Sequence, residues 1–158
     1  MNTPDISDLY DSLPVIVDFN TYGKKGLISG KIQTVKCLND NSKVREVLSN
    51  DGTNSVLIVD GEASKEVALI GDKVASIAKE NKWKAIVING YIRDVEHLHN
   101  IDLGIYALGA SPRKSKKENK GEISIDIVLQ GVEIKPGYWA YIDQNGIIIS
   151  PEELEINS

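Results

Sequence analysis

Three side chains in this chain have the types and spacing to do chemistry: Asp72, Arg93 and Asp94. Asp72 follows Gly71 where an amphipathic pattern begins. Twenty residues (73 to 92) then separate it from the Arg93-Asp94 pair. The first backbone N–H groups of a helix starting at Gly71 to Val74 lack intrahelical partners and form an anion site. An arginine adds a planar, two-pronged grip on a carboxylate. Two aspartates beside it would repel an anionic ligand unless a cation lay between them. Carboxylate and water ligands suit Mg²⁺, which keeps most of its waters. These residue types therefore suggest a metal-bridged small carboxylate.

The elements around these residues must bring them together. Ser55 to Val59 and Ala85 to Ile88 are short continuous apolar runs, as buried parallel strands are. Between them, Val74, Ala75, Ile77 and Ala78 form the stripe of a helix that Gly71-Asp72 opens and Asn81-Lys82 closes. A helix of about ten residues runs about 15 Å. A strand of about five residues runs about 17 Å back. Asp72 and Arg93-Asp94 are thus expected to meet beyond the carboxyl ends of the strands, where open α/β sheets bind ligands. Each residue also has a plainer reading. Asp72 can be a cap or a first-turn dipole residue, Arg93-Asp94 an ion pair over a turn, and Asp94 the cap of a short helix over 94–100.

The rest of the chain reads as a mixed α/β domain spanning 1–158, with no internal repeat and no interior linker. Thr3-Pro4-Asp5 reads as a helix start, with Thr3 as cap, and Pro14 as its end. Ile6, Leu9, Tyr10 and Leu13 recur at helical spacing along it. Asn20 to Gly26 reads as a loop and Lys31 to Cys37 as a strand. Asn39-Asp40-Asn41 offers caps to a helix marked by Val44, Val47 and Leu48. Ile105 to Leu108 reads as another strand. Ile123 to Leu129 alternates, Gln130-Gly131 suggests a hairpin turn, and Asn145-Gly146 punctuates the last strands. The middle is βαβ and the C-terminal half antiparallel β.

Composition excludes several classes. With 18 Lys+Arg against 23 Asp+Glu in 158 residues, the formal charge is −5, which disfavours a general nucleic-acid binder. One cysteine, Cys37, permits no internal disulfide. No apolar run approaches the ~20 residues of a membrane span. The start lacks the basic and apolar regions of a secretory signal, so a cytoplasmic home is expected. The basic stretch from Arg113 to Lys120 reads as a solvated loop, or else as a patch for an anionic partner. His97 and His99 are expected at the surface, Cys37 buried, and Trp83 and Trp139 in packing roles.

Several stretches together resemble one known family, the RraA-like family. They are Thr34 to Cys37, Val56 to Gly61, Gly71-Asp72, Gly90 to Val95, Asp102 to Gly104, Ala107 to Ser115 and Asn145 to Ile148. The family contains the regulator of ribonuclease activity A and the class II 4-hydroxy-4-methyl-2-oxoglutarate aldolases. The likeness runs from about Thr3 to Glu152. It implies a swivelling β/β/α domain with a mixed sheet or barrel-like β core, assembled as a homotrimer with sites between subunits. It also implies a Mg²⁺ or Mn²⁺ held by Asp94, and a 2-oxo acid bound by Arg93 and by the helix start Gly71, Asp72, Lys73 and Val74. Asp72 and Arg93 are the implied catalytic residues, Asp72 acting through metal-bound water. The implied reaction is aldol cleavage to pyruvate, with oxaloacetate decarboxylation through the same enolate. The family's regulator branch implies ribonuclease E as the alternative partner. The chain departs from the family at Glu62-Ala63-Ser64, where a glycine-rich step is usual, and at Tyr138, where an acid commonly follows Pro-Gly. Glu152, Glu153 and Glu155 are available as the acid that some aldolases take from a neighbouring subunit.

Overall fold

In the computed structural model, residues 1–156 are described; 157 and 158 of the expected domain lie outside the described residues. The first half of the chain contains α1 (Thr3–Leu9), β1 (Val15–Ile16), β2 (Asn20–Thr21), β3 (Ile28–Lys36), α2 (Ser42–Leu48), β4 (Ser55–Asp60), β5 (Ala68–Ile70) and α3 (Asp72–Glu80). The second half adds β6 (Ala85–Ile92), α4 (Val95–Leu98), β7 (Gly104–Ala110), β8 (Glu122–Ile123), β9 (Ile127–Leu129), β10 (Val132–Ile134), β11 (Trp139–Asp143) and β12 (Gly146–Ser150).

β3, β4, β6 and β7 lie side by side in parallel. Residues 56–59 of β4, 85–88 of β6 and 104–107 of β7 are buried on both faces, which explains their continuous apolar runs, whereas β3 leaves Lys31 and Lys36 exposed. Antiparallel strands flank them, and the sheet runs β1-β12-β11-β3-β4-β6-β7-β2. Residue alternation sorts the core into two layers. Leu57, Val59, Ile86 and Ile88 pack with Val44, Leu48, Val74, Ala75 and Ala78 of α2 and α3. Val56, Ile58 and Val87 pack with Ile127, Leu129 and Ile134 of the separate β9–β10 hairpin and with Ala140 and Ile142 of β11. The result is the β/β/α layering with a mixed sheet. It is not a closed barrel.

The site depends on β5. β4 pairs with β6 only as far as Asp60 opposite Asn89. β5 then takes over, with Ala68 opposite Tyr91 and Ile70 opposite Ile92, while β7 keeps the other side of β6. The Arg93 N–H extends this ladder by donating to the Ile70 carbonyl at 3.0 Å. Gly71 and Arg93-Asp94 therefore leave the ends of two neighbouring strands. Three residues are too few to show a period in sequence, so β5 was not foreseen.

Other expectations are corrected locally. Asn2, not Thr3, caps α1, through a capping box with Asp5, and the helix ends at Leu9 rather than Pro14. This frees Thr3 to donate its N–H and hydroxyl to Asp143 at 2.8 and 2.6 Å. β6 runs to Ile92, beyond the apolar run that ends at Ile88. Asn20-Thr21 is not loop but pairs with Ala107 and Tyr106 of β7. The alternating run 123–129 breaks at Ser124, which has φ 61°. The hairpin turn at Gln130-Gly131 is present, with φ 52° and 77°, as a primed turn requires. No helix among the described residues is long and apolar enough to cross a membrane.

Candidate active site

α3 begins at Asp72 because Gly71 is extended and the apolar stripe behind it docks on the sheet. Its first N–H is already taken: Asp72 N donates to Asp94 Oδ2 at 2.9 Å. Asp94 reaches back because its backbone is left-handed, with φ 62° and ψ 40°, a region that aspartate tolerates. It consequently makes no side-chain cap for α4. Among the described residues Arg93 and Asp94 form no ion pair with each other. The ion-pair reading therefore fails, and Asp94 stands at the N-cap position of α4 without capping it through its side chain. The N–H groups of Lys73 and Val74 remain without a partner among the described residues.

The Asp94 carboxyl is held below the usual carboxylate range. The Asp72 amide contributes most, partial burial opposes it, and the adjacent Asp72 side chain and the charges of Arg93 and His97 add to the lowering. Gly71 is required by proximity, not by its backbone angles. A Cβ there would land on Asp94 Oδ2 and lie 3.2 Å from Arg93 Cγ. Among the described residues the Arg93 guanidinium makes only a long 3.5 Å contact, to the Pro112 carbonyl. Most of its donors are free.

All six residues singled out from the sequence, Gly71, Asp72, Lys73, Val74, Arg93 and Asp94, line one cleft of about 290 Å³. Ala68 and Ile70 of β5 line it too, as do four polar residues that the sequence does not single out as site residues: Asn41, Arg45, Ser115 and Lys117. The sequence marks Asn41 only as a cap, and Lys117 as part of a basic stretch that is either a solvated loop or a patch for an anionic partner. Asn41 ties α2 to β5 by donating from Nδ2 to the Leu69 carbonyl at 2.9 Å. Ser115 Oγ accepts the Asn41 N–H at 2.8 Å. No local pattern signals these contacts, because the partners lie far apart along the chain.

The donor set fits a hard divalent cation. Asp94 Oδ2 is engaged, Oδ1 is spare, and the Asp72 carboxyl adjoins it without a basic side chain between them in an ion pair. No group of three His, Cys, Asp or Glu gathers among the described residues. One or two carboxylates completed by water is the ligand set Mg²⁺ favours.

The remaining candidates lie elsewhere. His97 and His99 are exposed. Cys37 is buried, and burial first, then Asp40, Asp60 and Glu62, push its thiol up to about 12. Trp83 is buried and donates its indole N–H to the Asn50 carbonyl at 3.0 Å. Trp139 is half-buried. Glu62 and Ala63 hold φ 57° and 56°, so the loop keeps the left-handed backbone that glycine would favour. Glu152, Glu153 and Glu155 line a different groove, with Tyr10 and Leu13.

Fold and site together define a layered β/β/α domain with a polar cleft at the strand ends. The sequence model of the RraA-like family, described as Aldolase/RraA, matches residues 3–149. The chain belongs to that family. It is 47% identical to a Shewanella oneidensis protein named "Putative 4-hydroxy-4-methyl-2-oxoglutarate aldolase", over 96% of this chain and 93% of that one. It is similar to the structure of the RNA-processing inhibitor RraA from Thermus thermophilis, with a TM-score of 0.94 and 36% identity over 98% of this chain and 95% of that one. A Geobacillus kaustophilus structure described as S-adenosylmethionine: 2-dimethylmenaquinone methyltransferase has the same TM-score of 0.94, with 39% identity over 98% and 97%.

Proposed function

We propose that this protein is a divalent-metal-dependent lyase. It cleaves 4-hydroxy-4-methyl-2-oxoglutarate, or a related 4-hydroxy-2-oxo acid, to pyruvate, and decarboxylates oxaloacetate through the same enolate. One observation carries the reading: Asp94 is turned away from α4 and onto the Asp72 amide, beside a free arginine and free helix-start amides. The names of the curated relatives support the aldolase class.

Residue roles follow from charge. The Lys73 and Val74 N–H groups receive the substrate carboxylate at the positive end of α3. The Arg93 guanidinium supplies fixed positive charge where the enolate oxygen develops. Asp94, with Asp72 beside it, would hold Mg²⁺ or Mn²⁺, which when bound supplies Lewis-acid stabilisation of that charge. The Asp72 carboxyl is the group positioned to take the proton from the substrate hydroxyl and return one to the enolate carbon. The cytoplasm suits a chain with one buried thiol, and the homotrimer implied by the family resemblance is part of the same proposal.

The test is pyruvate release by purified protein with Mg²⁺ or Mn²⁺, on the aldol substrate and on oxaloacetate. Arg93→Ala and Asp94→Asn should abolish it. Absence of turnover with every divalent metal overturns the reading.

A second reading rests on the likeness to the RNA-processing inhibitor. In it the protein binds ribonuclease E without catalysis. Capture of ribonuclease E by the Asp94→Asn variant, with no turnover by the wild type, would select it. The methyl-transfer description of the Geobacillus kaustophilus structure gains no support from a small cleft with charged walls.

A further inference from the structure

The cleft holds more positive charge than a pyruvyl fragment needs. Arg45, Lys73, Arg93 and Lys117 face it against only Asp72 and Asp94. The two acids belong to α3 and the end of β6, beside Arg93. Arg45 and Lys117 come from α2 and the 111–121 loop, and neither has an ion-pair partner among the described residues. We infer that Arg45 and Lys117 form the subsite for the second carboxylate of a dicarboxylic 2-oxo acid, and that buried Asp40 is the positioning residue that holds them. This deepens the lyase reading and rests on it.

The Asp40 clamp is what makes the subsite a built feature. Asp40 is 2% exposed. Its Oδ1 accepts the Ser42 N–H at 2.9 Å, at the first turn of the helix that carries Arg45. Its Oδ2 accepts the Glu118 and Lys120 N–H groups at 2.7 and 3.4 Å, on the far side of Lys117. On the near side, Lys116 N donates to the Asn39 carbonyl at 3.0 Å. A loop rich in lysine would repel itself in solution. One carboxylate, engaged mostly by backbone amides, therefore holds the charged segment in register with α2. An asparagine cannot reproduce this, because its amide nitrogen would meet N–H donors.

The experiment compares two substrates with the same pyruvyl half. One is the dicarboxylate 4-hydroxy-4-methyl-2-oxoglutarate; the other is the monocarboxylate 4-hydroxy-2-oxopentanoate. Arg45 and Lys117 are exposed, so Arg45→Ala and Lys117→Ala should fold. Each should raise KM for the dicarboxylate by about tenfold to a hundredfold, the scale of one charge-assisted contact, and leave kcat and the monocarboxylate within about twofold. Arg45→Lys should recover part of the loss. Asp40→Asn should show the same selective loss, which a general loss of folding would not give. Equal losses on both substrates, or none, overturn the inference while leaving the lyase reading standing. If the wild type turns over neither substrate, the lyase reading fails separately. Calorimetry with 2-oxoglutarate and pyruvate then decides. A wild-type preference for the diacid that Arg45→Ala removes supports the subsite, and equal affinities overturn it.

Discussion

Replacing Gly71 with alanine tests the site with a single methyl group. The backbone at Gly71 is extended, with φ −141°, so alanine adopts it freely. Contact is the obstacle. Carbon and oxygen approach to about 3.3 Å, and the new Cβ would fall well inside that distance of Asp94 Oδ2. The carboxylate must retreat by about 1 Å, which stretches its 2.9 Å bond to the Asp72 amide beyond hydrogen-bonding range. Asp72 is exposed, so water replaces the lost partner and the cost stays near the low end, about 1 kcal/mol. Restricting the unfolded chain returns about 0.4–1 kcal/mol. Net stability should stay within about 1 kcal/mol, or about 4 °C in Tm. Activity should fall about a hundredfold, as a displacement of about 1 Å at a reacting group does. Pyruvate release and a thermal melt on the same preparation measure both. Gly71→Ala within twofold of wild-type turnover would refute the argument that the Asp94 position sets the site. A Tm loss beyond about 10 °C would instead assign Gly71 to folding.

Further outcomes follow from other parts of the fold. Asp143 is buried. Burial raises its carboxyl, but bonds from Thr3 and Asn145 outweigh this and hold it below the usual carboxylate range. A depressed carboxyl contributes stability above its unfolded value, and that stability is lost as pH falls through the folded one. Urea midpoints should therefore drop below about pH 4, and Asp143→Asn should cost about 2 kcal/mol at neutral pH and flatten the decline. Ala63→Gly relieves a left-handed alanine and should stabilise by about 0.5–1 kcal/mol, read from denaturant midpoints; a lower midpoint refutes the strain. Cys37, with its thiol raised to about 12, should resist maleimide in the native protein and react on unfolding. Rapid native labelling would contradict its burial.

Much of the architecture is local and was legible in the chain. The apolar runs at 55–59 and 85–88 are strands because both faces are covered, and the Val74-Ala75-Ala78 stripe packs because its spacing is helical. The meeting of Asp72 with Asp94 was expected from matched lengths, but an eight-residue strand of about 26 Å outruns a nine-residue helix of about 13 Å. β5, paired with the end of β6, is what sets Gly71-Asp72 beside Arg93-Asp94. What the sequence left open depended on contacts with no local cause. β5 exists only because β6 outruns β4 and offers a free edge. Whether the Asp94 side chain caps α4 was open until its left-handed backbone directed the carboxylate to the first amide of α3. Arg45 carries no signal of its own, since a helical arginine usually faces water, and the basic run that holds Lys117 left a solvated loop and an anionic patch both open. They reach one cleft because Asp40 binds amides that lie 78 and 80 residues further along. Residue type and period set the elements; long-range hydrogen bonds, which have no sequence spacing, chose which charges share the hollow.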